Sequence, residues 1–206
     1  MFGSLVKKFL PGMMETTREK MYVVSIMPCT AKKFEADRPE FSVEGNPDVD
    51  VVLSTQELIR MIRESGLQLK ELPPGAMDMP FGFKTGAGVI FGASGGVAEA
   101  VLRTAAARAG VDFQYLDLES VRGMEGVKSA EIEVNGRTLR VGIVSGLANT
   151  KQLLQEMKAG AVHFDIVEVM ACRGGCIGGG GQPLPNDMKT RQGRANMLYD
   201  CDAILP

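Results

Sequence analysis

FDIVEVMACRGGCIGGGGQP, residues 164–183, sets an apolar run directly before two cysteines and a train of glycines. Residues 164–170 read as a buried strand. Cys172 and Cys176 then flank Gly174 and Gly175, and four further glycines follow from Gly178 to Gly181. Glycine at this density lets the backbone come very close to a bound object. It also aims backbone N–H groups at that object, which suits an anion or an electron-rich sulfur cluster. Paired thiols at this spacing, in a chain with no secretory signal, favour a metal or iron–sulfur centre over a disulfide. A flexible turn with two incidental thiols is the plain alternative. It explains neither the pairing nor the adjacent Met170.

Working outward, the same grammar recurs. Residues 22–26 read as a strand that runs into MPCTAKKFE, residues 27–35. Residues 49–53 (VDVVL) read as another strand. Ser54 then looks like an N-cap, with Glu57 three residues on completing a capping box for the helix TQELIRMIRESG. Residues 67–88 are rich in proline and glycine and read as a long loop. GVIFGASGGVAEA joins a short apolar run ending at Phe91 to a glycine turn and a helix that stops at Gly110. Residues 113–118 fit a strand. Residues 130–134 and 138–144 flank Asn135-Gly136 and read as a hairpin. Residues 147–159 read as a helix. Strands alternating with helices predict an α/β fold with a largely parallel sheet, helices on its faces and one antiparallel hairpin near 130–144. Ligands of such sheets sit beyond the carboxyl ends of the strands. The runs ending before MPCTAKK, GASGG and MACRGGC would all deliver unusual residues there.

The composition limits the function classes. The 206 residues suit one domain with a real core. A net charge of −2 argues against nucleic acid as the main partner. No apolar stretch reaches the ~18 residues that a membrane span needs. MFGSLVKKFLPG carries lysines inside its apolar segment, so it reads as a short amphipathic helix ending at Pro11, with Phe2, Leu5, Val6 and Phe9 on one stripe. The expected compartment is the cytoplasm.

The remaining polar candidates divide into plain and chemical readings. Cys29 is either an inert core thiol or a ligand. Lys32 lies one helical turn beyond it, where its charge would lower a thiol pKa or donate to an anionic ligand. Lys33 reads as part of a solvated face. GASGG lacks the Gly-Lys-Ser/Thr ending of a phosphate loop. It is a tight turn or a helix N-terminus that hosts negative charge. His163, the single histidine, reads as a surface or strand-start residue, which leaves Ser-His-Asp catalysis unsupported. Cys201 reads as structural, although tetrahedral zinc on Cys29, Cys172, Cys176 and Cys201 is chemically allowed.

MPCTAKKFEADRP and EVMACRGGCIGGGGQP resemble the second and third cysteine signatures of the iron-only (di-iron) hydrogenases. TQELIRMI, TGAGVIFGASGGVAEA and VRGMEGVKSAEIEVNG fit the same family, so the resemblance runs from about residue 1 to residue 200. It implies the H-cluster, a 4Fe–4S cubane joined through a cysteine sulfur to a di-iron unit with CO, cyanide and dithiolate ligands. By motif, Cys29 and Cys172 would ligate the cubane, and Cys176 would ligate it and bridge to the di-iron unit. Lys32 would donate to a cyanide. Met27 and Met170 would pack against the cluster, and Phe91 and Gly92 would line the di-iron pocket. Hydrogen, protons and a ferredoxin or accessory iron–sulfur subunit are the implied substrates and partners.

One family feature is missing. The Thr-Ser-Cys-Cys-Pro signature, which supplies the fourth cubane ligand and a proton-shuttling thiol, has no counterpart in the chain. The expectation is a single, partial H-cluster domain truncated at both ends, inactive by itself. A polypeptide supplying the missing cysteines, as in a split enzyme, is a second possibility. A degenerate relative or non-catalytic iron–sulfur scaffold is a third, against which Lys32 weighs.

Overall fold

A computed structural model describes residues 1–82, 85–112, 118–134 and 136–204. The fold is α/β, and it groups into two compact units, Met1–Phe83 with Gly180–Leu184 and Lys84–Gly179 with Pro185–Pro206. Among the described residues no helix is long and apolar enough to cross a membrane.

In the first unit, helix α1 (Phe2–Met13) precedes strand β1 (Val24–Met27) and helix α2 (Ala31–Ala36). Two short strands, β2 (Ser42–Val43) and β3 (Asn46–Pro47), form an antiparallel ribbon. Strand β4 (Val51–Ser54) pairs with β1 in parallel, Val24 opposite Val51 and Met27 opposite Ser54. Helix α3 (Thr55–Glu64) follows at once. Its capping box forms as the sequence predicts: the Glu57 N–H donates to Ser54 Oγ, and the Ser54 N–H donates to the Glu57 carboxylate. Gly66, at φ +73°, closes the helix.

Helix α1 departs from its expected reading in two ways. It runs through Pro11 to Met13, because a proline so near the end forfeits only the bond to the Lys7 carbonyl. Its buried side is Gly3, Lys7 and Pro11, while Phe2, Leu5 and Phe9 are exposed. Lys7 decides this. Its side chain is fully buried, with Nζ donating to Pro47 O at 2.6 Å, Asn46 Oδ1 at 3.2 Å and Asp50 Oδ1 at 2.9 Å. Asp50 also accepts the Val23 N–H at 2.6 Å. Arg18 pairs with Asp48 at 2.7 Å beside it. These charges tie α1 and the ribbon to the starts of the two strands, and so fix where β1 emerges at its far end.

Lys33 likewise is more than a solvated face. Its Nζ donates to Val52 O on β4 at 2.8 Å and pairs with Glu57 at 2.9 Å. The Lys33 hydrogen bond, followed by the two from Ser54, pulls the Glu57 carboxyl down to about 2. A carboxyl depressed in the folded state stabilises above its unfolded pKa and loses that contribution as pH falls toward the folded one. The α3 N-terminus is therefore expected to fray between pH about 4.5 and about 2. Amide exchange at Glu57, followed against pH, checks this, and Glu57→Gln is expected to flatten the dependence.

In the second unit, strands β5 (Val127–Val134) and β6 (Arg137–Ser145) form the predicted antiparallel hairpin. Gly136 at its tip has φ +71°; Asn135 lies outside the described residues, as do residues 113–117, where a strand is expected from sequence. Strand β7 (Ile166–Met170) lies parallel to β6. Helix α6 (Leu147–Lys158) makes the crossover between them. The parallel pairs thus belong to two separate small sheets rather than one continuous sheet.

The apolar run ending at Phe91 is not a strand. It forms helix α4 (Gly86–Val89) and a 3-10 turn, Ile90–Gly92. The surrounding glycines leave too few side chains to pack a pleated strand. Helix α5 (Gly96–Arg108) comes next, then, after β7, the long helix α7 (Met188–Ile204). The core gathers Leu102 and Ala98 of α5 with Val121, Ile132, Val141 and Ile143. Helix α5 is rich in alanine, so it sits close to the sheet and carries a fully buried Glu99 there.

A glycine loop with two thiols, and a third thiol after a parallel strand

In the first unit β1 delivers Met27, then a bend at Pro28 and Cys29 just beyond it, before α2 begins. Met27 and Cys29 are half-buried. The bend is pinned from the end of the glycine train: the Gly181 N–H donates to Pro28 O at 3.1 Å. A Cβ on Gly181 would lie 2.9 Å from Ser54 Cβ and 3.0 Å from the Cys29 nitrogen, so only glycine permits this approach. Lys32 pairs with Glu35 at 2.7 Å on its own helix, both side chains nearly half exposed. An exposed pair of this kind contributes about 0–1 kcal/mol, so it does not hold the ammonium in place.

In the second unit β7 delivers Met170 to the loop that carries Cys172 and Cys176, all three half-buried. The loop turns at Gly174 and Gly175, with φ of +81° and +96°. The Gly175 N–H donates back to Cys172 O at 3.0 Å, and the Gly179 N–H donates to Cys176 O at 2.9 Å. The GASGG turn packs behind it, backbone against backbone. The Ser94 N–H donates to Gly174 O at 3.1 Å, and a Cβ on Gly175 would lie 2.7 Å from the Ser94 nitrogen. On the other side the Gly174 N–H donates to Ser145 Oγ at 3.2 Å. The C-terminal end of the loop rests on α7, where Arg194 donates to Ile177 O at 2.9 Å. Gly92 leaves room for Leu198 of α7, whose Cδ1 would be 2.9 Å from a Cβ there. Phe91 is about half exposed.

Beside the GASGG turn lies a cavity of about 320 Å³ lined by Ser94, Arg122, Met124 and Tyr199 among others. The Tyr199 ring lies under the Arg122 guanidinium at 4.4 Å. Burial pushes its hydroxyl up to about 12, so it stays a neutral donor. Further in, Glu99 takes Arg103 and Arg122, the latter at 2.7 Å, and Arg103 reaches Asp202 of α7 at 2.6 Å. The Asp202 and Glu99 bonds raise the Arg103 pKa above its ordinary value despite burial.

The structure therefore brings Met170, Cys172, Cys176, Phe91 and Gly92 into one unit, and Met27, Cys29 and Lys32 into the other. None of the four cysteines forms a disulfide. Within either unit no three His, Cys, Asp or Glu among the described residues gather as a metal site. Cys201 is exposed on α7 and does not complete a zinc set with Cys172 and Cys176. His163 is exposed, as expected for a strand-start residue. Within the second unit the two thiols outside disulfides, on a loop whose glycines leave no space for side chains, have the chemistry of iron–sulfur ligands. Sequence reasoning passed over Ser145, which accepts from the loop at Gly174, and Glu168, which accepts from the start of α5. Glu168 had a signal, an acidic residue inside the apolar run FDIVEVM.

Residues 1–180 match the family described as "Iron only hydrogenase large subunit, C-terminal domain". The chain is 47% identical over its full length to the NADP-reducing hydrogenase subunit HndD of Solidesulfovibrio fructosivorans, of which it covers 35%. It is 38% identical to iron hydrogenase 1 of Clostridium pasteurianum, with 99% of the chain aligned to 37% of that protein. It is also 35% identical to cytosolic iron-sulfur assembly component 3 of Pongo abelii, 92% of the chain against 41% of the relative. A solved structure of FeFe-hydrogenase HydA1 from Chlamydomonas reinhardtii superposes with a TM-score of 0.79 at 37% identity, over 99% of the chain and 59% of that protein. The chain thus spans between a third and a half of these curated relatives. Matched by the family model over residues 1–180 and by these relatives over nearly all of its length, the chain belongs to the iron-only hydrogenase family, in the C-terminal domain of the large subunit.

Proposed function

We propose that this chain is the part of a hydrogenase catalytic domain that supplies three of the protein ligands to the H-cluster. Cys29 and Cys172 would hold the 4Fe–4S cubane, and Cys176 would hold both it and the di-iron unit with its CO, cyanide and dithiolate ligands. The carrying observation is the loop between Cys172 and Cys176, turned by two positive-φ glycines and packed backbone to backbone on the GASGG turn. A backbone fixed in this way offers two thiols, four residues apart, as ligands for an iron–sulfur cluster.

When bound, the cluster supplies the redox chemistry that interconverts protons, electrons and hydrogen. The chain's own residues set its surroundings. Met27 and Met170 end the two strands that lead to the thiols and offer soft thioether contact. Lys32, which among the described residues pairs with Glu35 in an exposed contact, would donate to a cyanide ligand. Phe91 and Gly92 shape the apolar side of the di-iron pocket.

Four-cysteine ligation needs one more thiol than these motifs provide. It comes from polypeptide bearing the family's first cysteine signature, and a ferredoxin or accessory iron–sulfur subunit delivers electrons. The four cysteines outside disulfides suit a reducing cytoplasm.

The test is infrared spectroscopy after co-expression with the H-cluster assembly machinery and a polypeptide carrying the missing signature. CO and cyanide bands are expected, and Cys176→Ser is expected to abolish them. The isolated chain is expected to evolve no hydrogen; robust turnover by it alone would refute the missing ligand. The kinship with cytosolic assembly proteins favours a second reading, a non-catalytic iron–sulfur scaffold. Iron binding with no CO or cyanide bands under the same conditions would select it.

A further inference from the structure

We propose that Glu168 is a positioning residue for the thiols of Cys172 and Cys176. The role rests on the reading of those thiols as cluster ligands. Glu168 lies in β7, two residues before Met170, and is 6% exposed. Both of its carboxylate oxygens are engaged: Oε1 accepts the Gly95 N–H at 2.6 Å and Oε2 accepts the Ala98 N–H at 2.8 Å. These N–H groups belong to the start of α5, whose N-cap is Gly95 and has no side chain to cap with. The orphan donors of a helix N-terminus need an acceptor, and an anion suits them best. Here that anion comes from another element, some seventy residues away in sequence.

The consequence reaches the cysteines in two steps. The carboxylate clamps the GASGG turn onto β7, the strand that feeds the cysteine loop. Ser94 of that turn then donates its N–H to Gly174 O, and Gly175 packs against the Ser94 nitrogen and the Gly92 carbonyl. Strand end and loop middle are thereby held to one rigid object, and the path between the two thiols is set before any cluster arrives. Gly95 cannot carry a side chain here, since a Cβ would run into the Val121 carbonyl, so no residue at this position could cap the helix itself.

A helix cap that served α5 alone would not discriminate among thiols. Glu168→Gln keeps the shape but turns an NH₂ toward one of the two N–H groups. In the variant, iodoacetamide labelling read by mass spectrometry is expected to accelerate about tenfold at Cys172 and Cys176, as a buried charge-assisted bond is lost and the loop opens locally. Labelling at Cys29 and Cys201 is expected to stay within about twofold of the parent chain. Equal acceleration at all four thiols, or none at Cys172 and Cys176, would overturn the proposal. Should the variant not fold, hydrogen exchange on the parent chain decides. The amides of Gly95, Ala98, Ser94 and Gly174 are expected to open as one unit, and opening of Gly174 independently of Gly95 and Ala98 would overturn it. Iron and sulfide reconstitution of the parent chain together with a polypeptide carrying the missing signature is read separately: failure of Cys172 and Cys176 to take up iron there sinks the cluster reading and leaves the thiol result standing.

Discussion

Glu99→Ala is expected to destabilise the second unit by about 3–5 kcal/mol, the range for removing one partner of a buried ion pair. Glu99 is fully buried and is the acceptor for both Arg103 and Arg122. Without it Arg103 keeps Asp202, but among the described residues the Arg122 guanidinium keeps only the face of Tyr199. A guanidinium over an aromatic ring is worth about 0.5–2 kcal/mol, too little to replace a carboxylate. Urea denaturation followed by circular dichroism measures the loss as a lower midpoint at unchanged slope. Glu99→Gln is expected to fall between parent and alanine variant, since it still accepts from one arginine. A Glu99→Ala midpoint equal to the parent's would show that the buried network contributes nothing net.

Lys7→Ala is expected to have an effect of similar size, about 3–5 kcal/mol, on the first unit. It strips Pro47 O, Asn46 Oδ1 and the partly buried Asp50 carboxylate of the fully buried donor they share. The same network has a pH signature. Burial pushes the Asp50 carboxyl up, but the Lys7 ammonium and the Val23 N–H outweigh it and hold Asp50 below its usual value. A carboxylate depressed in the folded state stabilises above its unfolded pKa, near 3.8, and loses that stability as pH falls below it. Acid titration of the unfolding midpoint is expected to be steeper in the parent than in Lys7→Ala. Identical acid slopes would disconnect Lys7 from Asp50.

The parts of this protein that could be read from sequence are those whose cause is local. The capping box of α3 needs only Ser54 and Glu57 within one turn. The β5–β6 hairpin needs only alternation and a glycine at its tip. The cysteine motifs announce themselves because thiols and glycines at that spacing have few other uses. The misread segments had a local pattern whose outcome was settled elsewhere. Phe2, Leu5 and Phe9 do mark a helix, yet the side facing inward is the one where Asp50 and Pro47 await Lys7. The run to Phe91 is apolar like a strand, but glycines on both sides give it nothing to pair with, and it coils.

Sequence alone thus determined the helix and strand grammar, the family motifs and the thiols that could serve as ligands, since each follows from residue type and spacing. The tertiary structure decided which charges are buried. Lys7 and Glu99 look like ordinary solvated residues in the chain, and Glu168 stands out only as an acidic residue in an apolar run, with no partner in sight. Each is enclosed because its partners arrive from distant positions: Asp50 for Lys7, Arg122 for Glu99, and the Gly95 and Ala98 amides for Glu168. A buried charge is tolerable only when every such partner is in place, and that condition belongs to the folded chain rather than to any stretch of it.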